Sequence, residues 1–294
     1  MASDKSGEEQ PAGGRTVAAR RITFEHSGMQ GRYFFGGDLL MSHILALLSA
    51  TFPKGEQFFV ESVRNVRAEV TDDRLRPQVA GFIGQESMHG REHDRLNEVL
   101  AQAGYPAKLI DRTVEVLLGS VASRLPKPVQ LATTAALEHY TAVLAEQLLS
   151  DETFDRLEVP DEIRNLFVWH ALEECEHRAV AFDVFQDCYG SERTRILTMQ
   201  LATTLLVTLV LPLLITSLAT DRRAYNPLRL GRSLLNLRRS PFARKRIALN
   251  LLRYNRLGFH PDERDIAELL AHWRSELFGE EGALVDHLDA RRAG

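Results

Sequence analysis

Two stretches of this chain, "GQESMHGREH" at residues 84–93 and "WHALEECEHR" at 169–178, place a glutamate three residues before a histidine in otherwise helix-forming sequence. On a helix, residues three apart share a face about one turn from each other. Glu86 and His89 therefore point together, and so do Glu174 and His177. A carboxylate and an imidazole aimed at one point suit a divalent metal. One such pair is a weak sign, because a solvated helix face gives the same spacing more often. Two pairs demand further ligands at the same height, and that demand restricts the fold: the helices carrying them must lie side by side.

Helical periodicity is present where it is needed. Apolar residues recur at three and four positions in "LLMSHILALLSATF", "EQFFVESVRNVRAEV", "VAGFIGQESMHGREHDRLNEVLAQAG", "PVQLATTAALEHYTAVLAEQLLS" and "PDEIRNLFVWHALEECEHRAVAFDVFQDCYG". Breakers at 71–77, 103–106, 125–128 and 150–161 separate them. No strand alternation of convincing length occurs, so the expected class is all-α.

Two lone glutamates complete the pattern. Glu61 in "FFVESVRNV" and Glu138 in "ATTAALEHYTAVL" are flanked by apolar residues, where a solvated carboxylate is not expected. From Glu61 to the middle of the 71–77 turn is about 13 residues, and from there to Glu86 about 12, so a helical hairpin brings the two level at ~1.5 Å per residue. The same reckoning works for Glu138 and Glu174, at about 17 and 19 residues from the 150–161 loop. Glu61, Glu86, His89, Glu138, Glu174 and His177 then form one layer. Such a set is the dinuclear carboxylate site of helical bundles. Four carboxylates neutralise two divalent ions, and oxygen-rich ligation with one imidazole per metal favours iron or manganese over zinc.

The pattern E…ExxH…E…ExxH resembles the ferritin-like di-iron superfamily of ferritins, ribonucleotide reductase small subunits, soluble monooxygenases and acyl-carrier desaturases. The fuller run "FIGQESMHGREH", "ALEHYTA" and "WHALEECEHRAVAFDVF" resembles the bacterial family labelled predicted metal-dependent hydrolases, over roughly residues 20–260. The resemblance implies a ferritin-like four-helix bundle with additional C-terminal helices, holding two iron ions, or manganese or a mixed pair. In the superfamily an acid often precedes the Glu-x-x-His and orients a ligating histidine. Glu173 matches that position, while Gln85 departs from it and would leave its histidine less electron-rich. His93 and His170 stand one turn from His89 and Glu174 on the metal-facing sides, as added ligands or proton carriers. His139 and Glu176 point elsewhere and read as solvated or structural. Cys175, Tyr140 and Trp169 read as packing residues.

The overall charge of −4 hides an asymmetry. Residues 1–221 carry 21 Lys/Arg against 31 Asp/Glu, residues 222–256 carry 11 and no acid, and residues 257–294 carry 4 against 9. Ahead of the basic block, residues 196–220 run without a charge, close to the ~20 apolar residues that cross a bilayer. The alternative is a buried helix of the core or of a homodimer interface. A simple crossing would put the basic block on the far side from the acidic N-terminal part, against the positive-inside tendency. A segment dipping into one leaflet, bending at Pro212, suits the charges better, and "RRAYNPLRLGRSLLNLRRSPFARKRIALNLLRYNR" interleaves Leu and Ile with Arg as an interfacial helix would. The partner expected for 196–256 is an anionic membrane surface. Nucleic acid is the lesser alternative, since no fold motif or aromatic interleaving accompanies the arginines.

The expected organisation is a disordered tail over 1–20, a metal-carrying bundle over 21–195, the apolar helix 196–220, and a basic then acidic helical region over 221–294. Two cysteines, Cys175 and Cys188, fit a reducing compartment rather than a disulfide framework, and no secretory layout stands at the N-terminus. A cytoplasmic protein, peripheral or monotopic at the inner face of the cell membrane, is expected. Three functions compete. The first is an oxygen-activating dinuclear oxidoreductase acting on a small, lipophilic substrate. The second is a metal-dependent hydrolase using a metal-bridged hydroxide. The third is a non-catalytic metal-binding bundle.

Overall fold

A computed structural model describes residues 17–26, 31–151, 158–238, 240 and 243–288. The chain is all-α. Among the described residues the sole extended pairing is an isolated bridge between Ile22 and Leu288. The helices are α1 (Leu39–Arg64), α2 (Leu75–Gln102), α3 (Ala107–Val114), α4 (Lys127–Ser150), α5 (Asp161–His177), α6 (Val180–Cys188), α7 (Glu192–Ala219), α8 (Pro227–Leu237), α9 (Lys245–Arg253) and α10 (Ala267–Phe278). Polar side chains start several of them. Asp38 accepts from Met41 N at α1 (3.0 Å), and Asn226 accepts from Leu228 N and Arg229 N at α8.

Helix α1 pairs with α2 and α4 with α5, and α1 also meets α4 as α2 meets α5. One apolar cluster fills the end of this group with Leu45, Leu96, Leu100, Leu148, Phe167 and Leu172. A second fills the other end with Phe58, Val63, Val79, Phe82, Leu131 and Phe185. The candidate site lies between them. The C-terminal segment packs back onto the same bundle, placing Ile266, Leu277 and Leu284 in the first cluster.

The tail expected over 1–20 falls largely outside the described residues, but its last four residues belong to the fold. Val17 is buried beside Val79 and Phe82, and Arg20 forms ion pairs with Glu173 and Glu176. This extended strap crosses α2 where two glycines open the helix surface. A Cβ on Gly81 would stand 2.0 Å from the Val17 carbonyl oxygen, and one on Gly84 would stand 2.5 Å from the Ala19 Cβ. No side chain fits there unless the strap lifts. The Gly81→Ala protein is therefore expected to lose about 1–3 kcal/mol of stability, the usual cost of overpacking. Faster tryptic cleavage at Arg20 and Arg21 in the folded protein would show that the strap has lifted, and an unchanged cleavage rate would rule that out.

Candidate metal centre

Five of the six residues expected to form a ligand layer come together. Glu86, His89, Glu138, Glu174 and His177 are all buried and converge between α2, α4 and α5. Glu61 does not join them. It is exposed near the end of α1 and accepts from Gln57 Nε2 at 2.9 Å. Its expected place is taken by Glu56, which is 1% exposed. The hairpin reckoning failed because it carried α1 to the middle of the following turn. Helix α1 stops at Arg64, and the connection to Leu75 is a 3₁₀ turn at Arg67–Glu69 followed by loop. The residue level with Glu86 therefore sits further back along α1. A sequence signal did exist: Ser49, Pro53, Glu56, Val60 and Val63 form one buried stripe spaced by four and three, and Glu56 interrupts it.

The donor atoms face one another. His177 Nε2 stands 3.0 Å from Glu86 Oε1 and 3.2 Å from Glu138 Oε2. His89 Nδ1 stands 3.6 Å from Glu86 Oε1 and 3.7 Å from Glu174 Oε1. These contacts are within ion-pair distance but lack hydrogen-bond alignment. Both carboxylate oxygens of Glu56, Glu86 and Glu138, with Glu174 Oε2, His89 Nδ1 and His177 Nε2, are buried without a hydrogen-bond partner. Native interiors rarely leave such groups unsatisfied. Here they all point at one place, and the donor set is carboxylate and imidazole. That is the condition a divalent ion relieves, so these residues fit a metal.

Each histidine is turned by a residue preceding the opposite motif. Glu173 Oε2 accepts from His89 Nε2 at 3.0 Å, leaving Nδ1 toward the carboxylates. Gln85 Oε1 accepts from His177 Nδ1 at 2.9 Å, leaving Nε2 toward them. The Gln85 amide is fixed because its Nε2 donates to the Ala18 carbonyl (3.1 Å) and to Glu176 Oε2 (3.0 Å). Gln85 thus orients its histidine as an acid would, without the charge. Arg20 Nη1 donates to Glu173 Oε1 at 2.8 Å, so the N-terminal strap bears on the site. Glu176 is structural, bonded to Arg20, Gln85 and Arg274. His139 is buried against Asn250 O, Cys175 is buried in the apolar core, and Trp169 sets its edge against His89.

His93 and His170 are buried members of the same assembly. Pro53 has no N–H, so the Ser49 carbonyl loses its helical partner. Asn97 Nδ2 donates to that carbonyl at 3.1 Å, which turns Asn97 Oδ1 to accept from Ser49 Oγ at 2.8 Å. Ser49 Oγ, its proton so committed, accepts from His93 Nδ1 at 2.9 Å. His93 Nε2 is then left to accept from His170 Nδ1 at 2.7 Å. The outcome is an unprotonated His170 Nε2, 3.0 Å from Glu174 Oε1 and 3.6 Å from Glu56 Oε1. A lone pair facing two carboxylates needs a proton or a cation between them. Glu56, His89 and His170 form one group of converging donors, and Glu86, Glu138 and His177 another.

The titration of the site shows how much charge it concentrates. Burial alone would lower His89, yet its hydrogen bond to Glu173 and the charge of the nearby Glu86 carboxylate push it up to about 10. Burial likewise opposes His177, but Glu86, Glu138 and Glu174 raise it well above the usual imidazole range. Glu56 and Glu138 are raised well above the carboxylate range by burial and by Glu86 and Glu174 beside them. Burial works most strongly against Glu86 and Glu174, but His177 acting with His89 on Glu86 and with His170 on Glu174 holds both below that range. Without a metal, protons neutralise the pocket.

Glu56→Ala is expected to lower bound metal per chain severalfold in elemental analysis, whereas Glu61→Ala leaves it unchanged. The reverse result would restore Glu61 to the set.

Residues 18–265 match the sequence profile of the family described as predicted metal-dependent hydrolase. No curated protein and no solved structure gives a significant match. The family match overturns the oxygen-activating oxidoreductase reading in favour of the hydrolytic alternative. Carboxylates and imidazoles of this kind serve Lewis-acid chemistry as readily as redox chemistry, and for that reason the ligand pattern alone had pointed the wrong way. The chain belongs to the family of predicted metal-dependent hydrolases.

Proposed function

We propose that this protein hydrolyses an ester or amide bearing a small apolar acyl group, with two divalent ions held between α1, α2, α4 and α5. The observation that carries the reading is that two of the converging donors, His170 and Glu174, line a largely apolar pocket. Leu45, Leu48 and Phe52 of α1, Leu144, Ala145 and Leu148 of α4, and Phe167 and Ala171 of α5 enclose about 50 Å³, and Thr141, His170 and Glu174 complete the lining. A second, slightly smaller opening around Arg178, Arg253 and Arg264 lies away from the cluster, and there Arg178 pairs with Asp262 and Arg264 with Glu146.

Glu56, His89 and His170 would hold one ion, Glu138 and His177 the other, and Glu86 and Glu174 stand between the two groups. Carboxylate-rich donors with imidazole suit iron(II) or manganese(II), used without change of oxidation state. Bound there, such ions supply the Lewis acidity that polarises a carbonyl and acidifies water. The chain's own residues do the rest. The leucine and phenylalanine walls seat the acyl group and exclude bulk water, which strengthens every electrostatic interaction on the pocket floor. The chain from Asn97 through Ser49 and His93 keeps His170 in one tautomer, and Glu173 and Gln85 do the same for His89 and His177.

Two measurements test this. Loading should displace the protons on His89, His177, Glu56 and Glu138, so calorimetry in buffers of different ionisation enthalpy should report roughly four protons released per chain. Affinity should accordingly rise with pH, because protons and metal compete for the same atoms. Protein loaded anaerobically with manganese should hydrolyse 4-nitrophenyl butanoate and hexanoate severalfold faster than the acetate, with or without oxygen. Leu144→Trp, which fills the pocket, should remove that preference. Activity that requires oxygen, or no hydrolysis with any ion, would sink the proposal.

A further inference from the structure

Helix α7 combines two properties that rarely coincide: it is fastened to the bundle at both ends, and most of its length is bare. At its start Arg195 is fully buried, donating to the backbone carbonyls of Tyr254 and Arg256 and pairing with Glu192. At its end Ser217 Oγ bonds His43 Nδ1 at 2.7 Å. Asp221, just beyond, accepts from the Tyr33 hydroxyl at 2.6 Å and lies 3.2 Å from His43 Nε2. Between these anchors Met199 and Ala202 join a cluster with Tyr254 and Phe259, and Leu213 packs against Leu47, Ala50 and Ile110. The helix therefore lies along the bundle. Crossing a bilayer would break both anchors and expose the acidic bundle beneath.

The outward side is apolar over more than four turns. Leu197, Leu201, Leu205, Val207, Leu211 and Ile215 are 48–66% exposed, and only 17% of the apolar window is buried. No charged residue lies between Leu201 and Ala219. Three threonines that dilute the sequence pattern at the middle of the helix, Thr203, Thr204 and Thr208, do not present free hydroxyls. Thr204 and Thr208 donate back to the carbonyls of Gln200 and Thr204, at 2.9 and 2.8 Å. Soluble monomers rarely leave so long an apolar strip uncovered.

The flanking charge identifies what covers it. The segment that follows, 222–256, holds eleven Lys/Arg and no acid, and its helices expose Leu228, Leu235 and Leu252 among the arginines. Among the described residues, Arg222, Arg232 and Lys245 have no carboxylate partner. A second copy docked face to face would bring two such cationic blocks together. An anionic surface would satisfy both.

We propose that this face docks on an anionic bilayer, with the bare side of α7 and the leucines of α8 and α9 in the headgroup and upper acyl region and the free cations against lipid phosphates. The docking stands independently of the hydrolytic reading. The full chain should co-sediment with phosphatidylcholine vesicles containing one-third phosphatidylglycerol at least tenfold more strongly than with phosphatidylcholine alone. That preference should fade with salt, because exposed charges are screened over ~8–10 Å at physiological ionic strength. The double substitution Leu205→Glu, Leu211→Glu should reduce binding at least tenfold with helix content unchanged by circular dichroism. The triple substitution Arg222→Gln, Arg232→Gln, Lys245→Gln should weaken binding to the anionic vesicles by roughly a hundredfold and leave neutral vesicles unaffected. Three outcomes would overturn the proposal. One is failure to bind either vesicle. Another is a dimer in ultracentrifugation that Leu205→Glu, Leu211→Glu dissolves without changing vesicle binding, which makes a second copy the occupant. The third is retention in vesicles after an alkaline carbonate wash, which makes α7 a span.

Discussion

Four carboxylates that face one another in a dry helical interior set the terms for the rest of this structure. Moving even one unpaired carboxylate out of water costs several kcal/mol after relaxation. Glu56, Glu86, Glu138 and Glu174 are all buried within ion-pair reach of the same imidazoles. The fold meets the cost in two interchangeable ways. Without metal, His89 and His177 take up protons to balance Glu86 and Glu174, while Glu56 and Glu138 keep theirs. A bound cation would take over that balance, with the carboxylates as its counter-charge and the histidines as neutral donors. Protons and cations compete for the same atoms, and the bundle packs tightly around a neutralised site.

Neutrality alone does not aim the donor atoms. That work falls to a second ring of contacts that begins in the backbone. Pro53 removes one helical hydrogen bond and thereby supplies the carbonyl that orients Asn97; the consequence passes through Ser49 and His93 to His170. Glu173 and Gln85 reach across from one motif to the histidine of the other, so neither motif can turn without disturbing its opposite. A helix-breaking residue in mid-helix, destabilising by itself, is thus part of the apparatus that fixes a histidine tautomer.

Much of this was legible because helical periodicity and three-residue spacing are local properties. The class and the two Glu-x-x-His pairs follow from patterns that a single helix carries, whereas Glu138 rested on its apolar flanks and on its level with Glu174 across a hairpin. Glu61 was misplaced because its level depended on where α1 ends, which is decided by the 3₁₀ turn at Arg67–Glu69 and not by the apolar flanks. Flanking residues are a poor guide in any case. Val60 and Ser62 are buried beside an exposed Glu61 because each step along a helix turns about 100°. The chemistry was less legible still, since a carboxylate–imidazole layer does not encode whether its ions change oxidation state. Arg20, lying in a segment expected to be disordered, could not be connected to Glu173 by any sequence spacing.

The convergence of both chain ends on one buried carboxylate extends that argument beyond the bundle. Glu176 accepts from Arg20 at 2.7 and 2.8 Å and from Arg274 at 2.7 Å, and it also accepts from the Gln85 amide that turns His177. Arg20 stacks in addition over the Phe278 ring of α10. Arg274 and Phe278 lie beyond residue 265, where the family match ends, yet they meet the strap that braces Glu173. Glu176 stands next to Cys175 on the side of α5 turned away from the metal-facing donors, so its own charge does not enter the site. It acts through position: two guanidinium groups fix the carboxylate, the carboxylate fixes an amide, and the amide fixes an imidazole. Removing either arginine would leave a buried carboxylate half-compensated, a far larger penalty than losing a surface ion pair. The acidic C-terminal segment from residue 257 is therefore not an appendage to a metal-binding bundle. It is one of the two clamps that hold the orientation of His177.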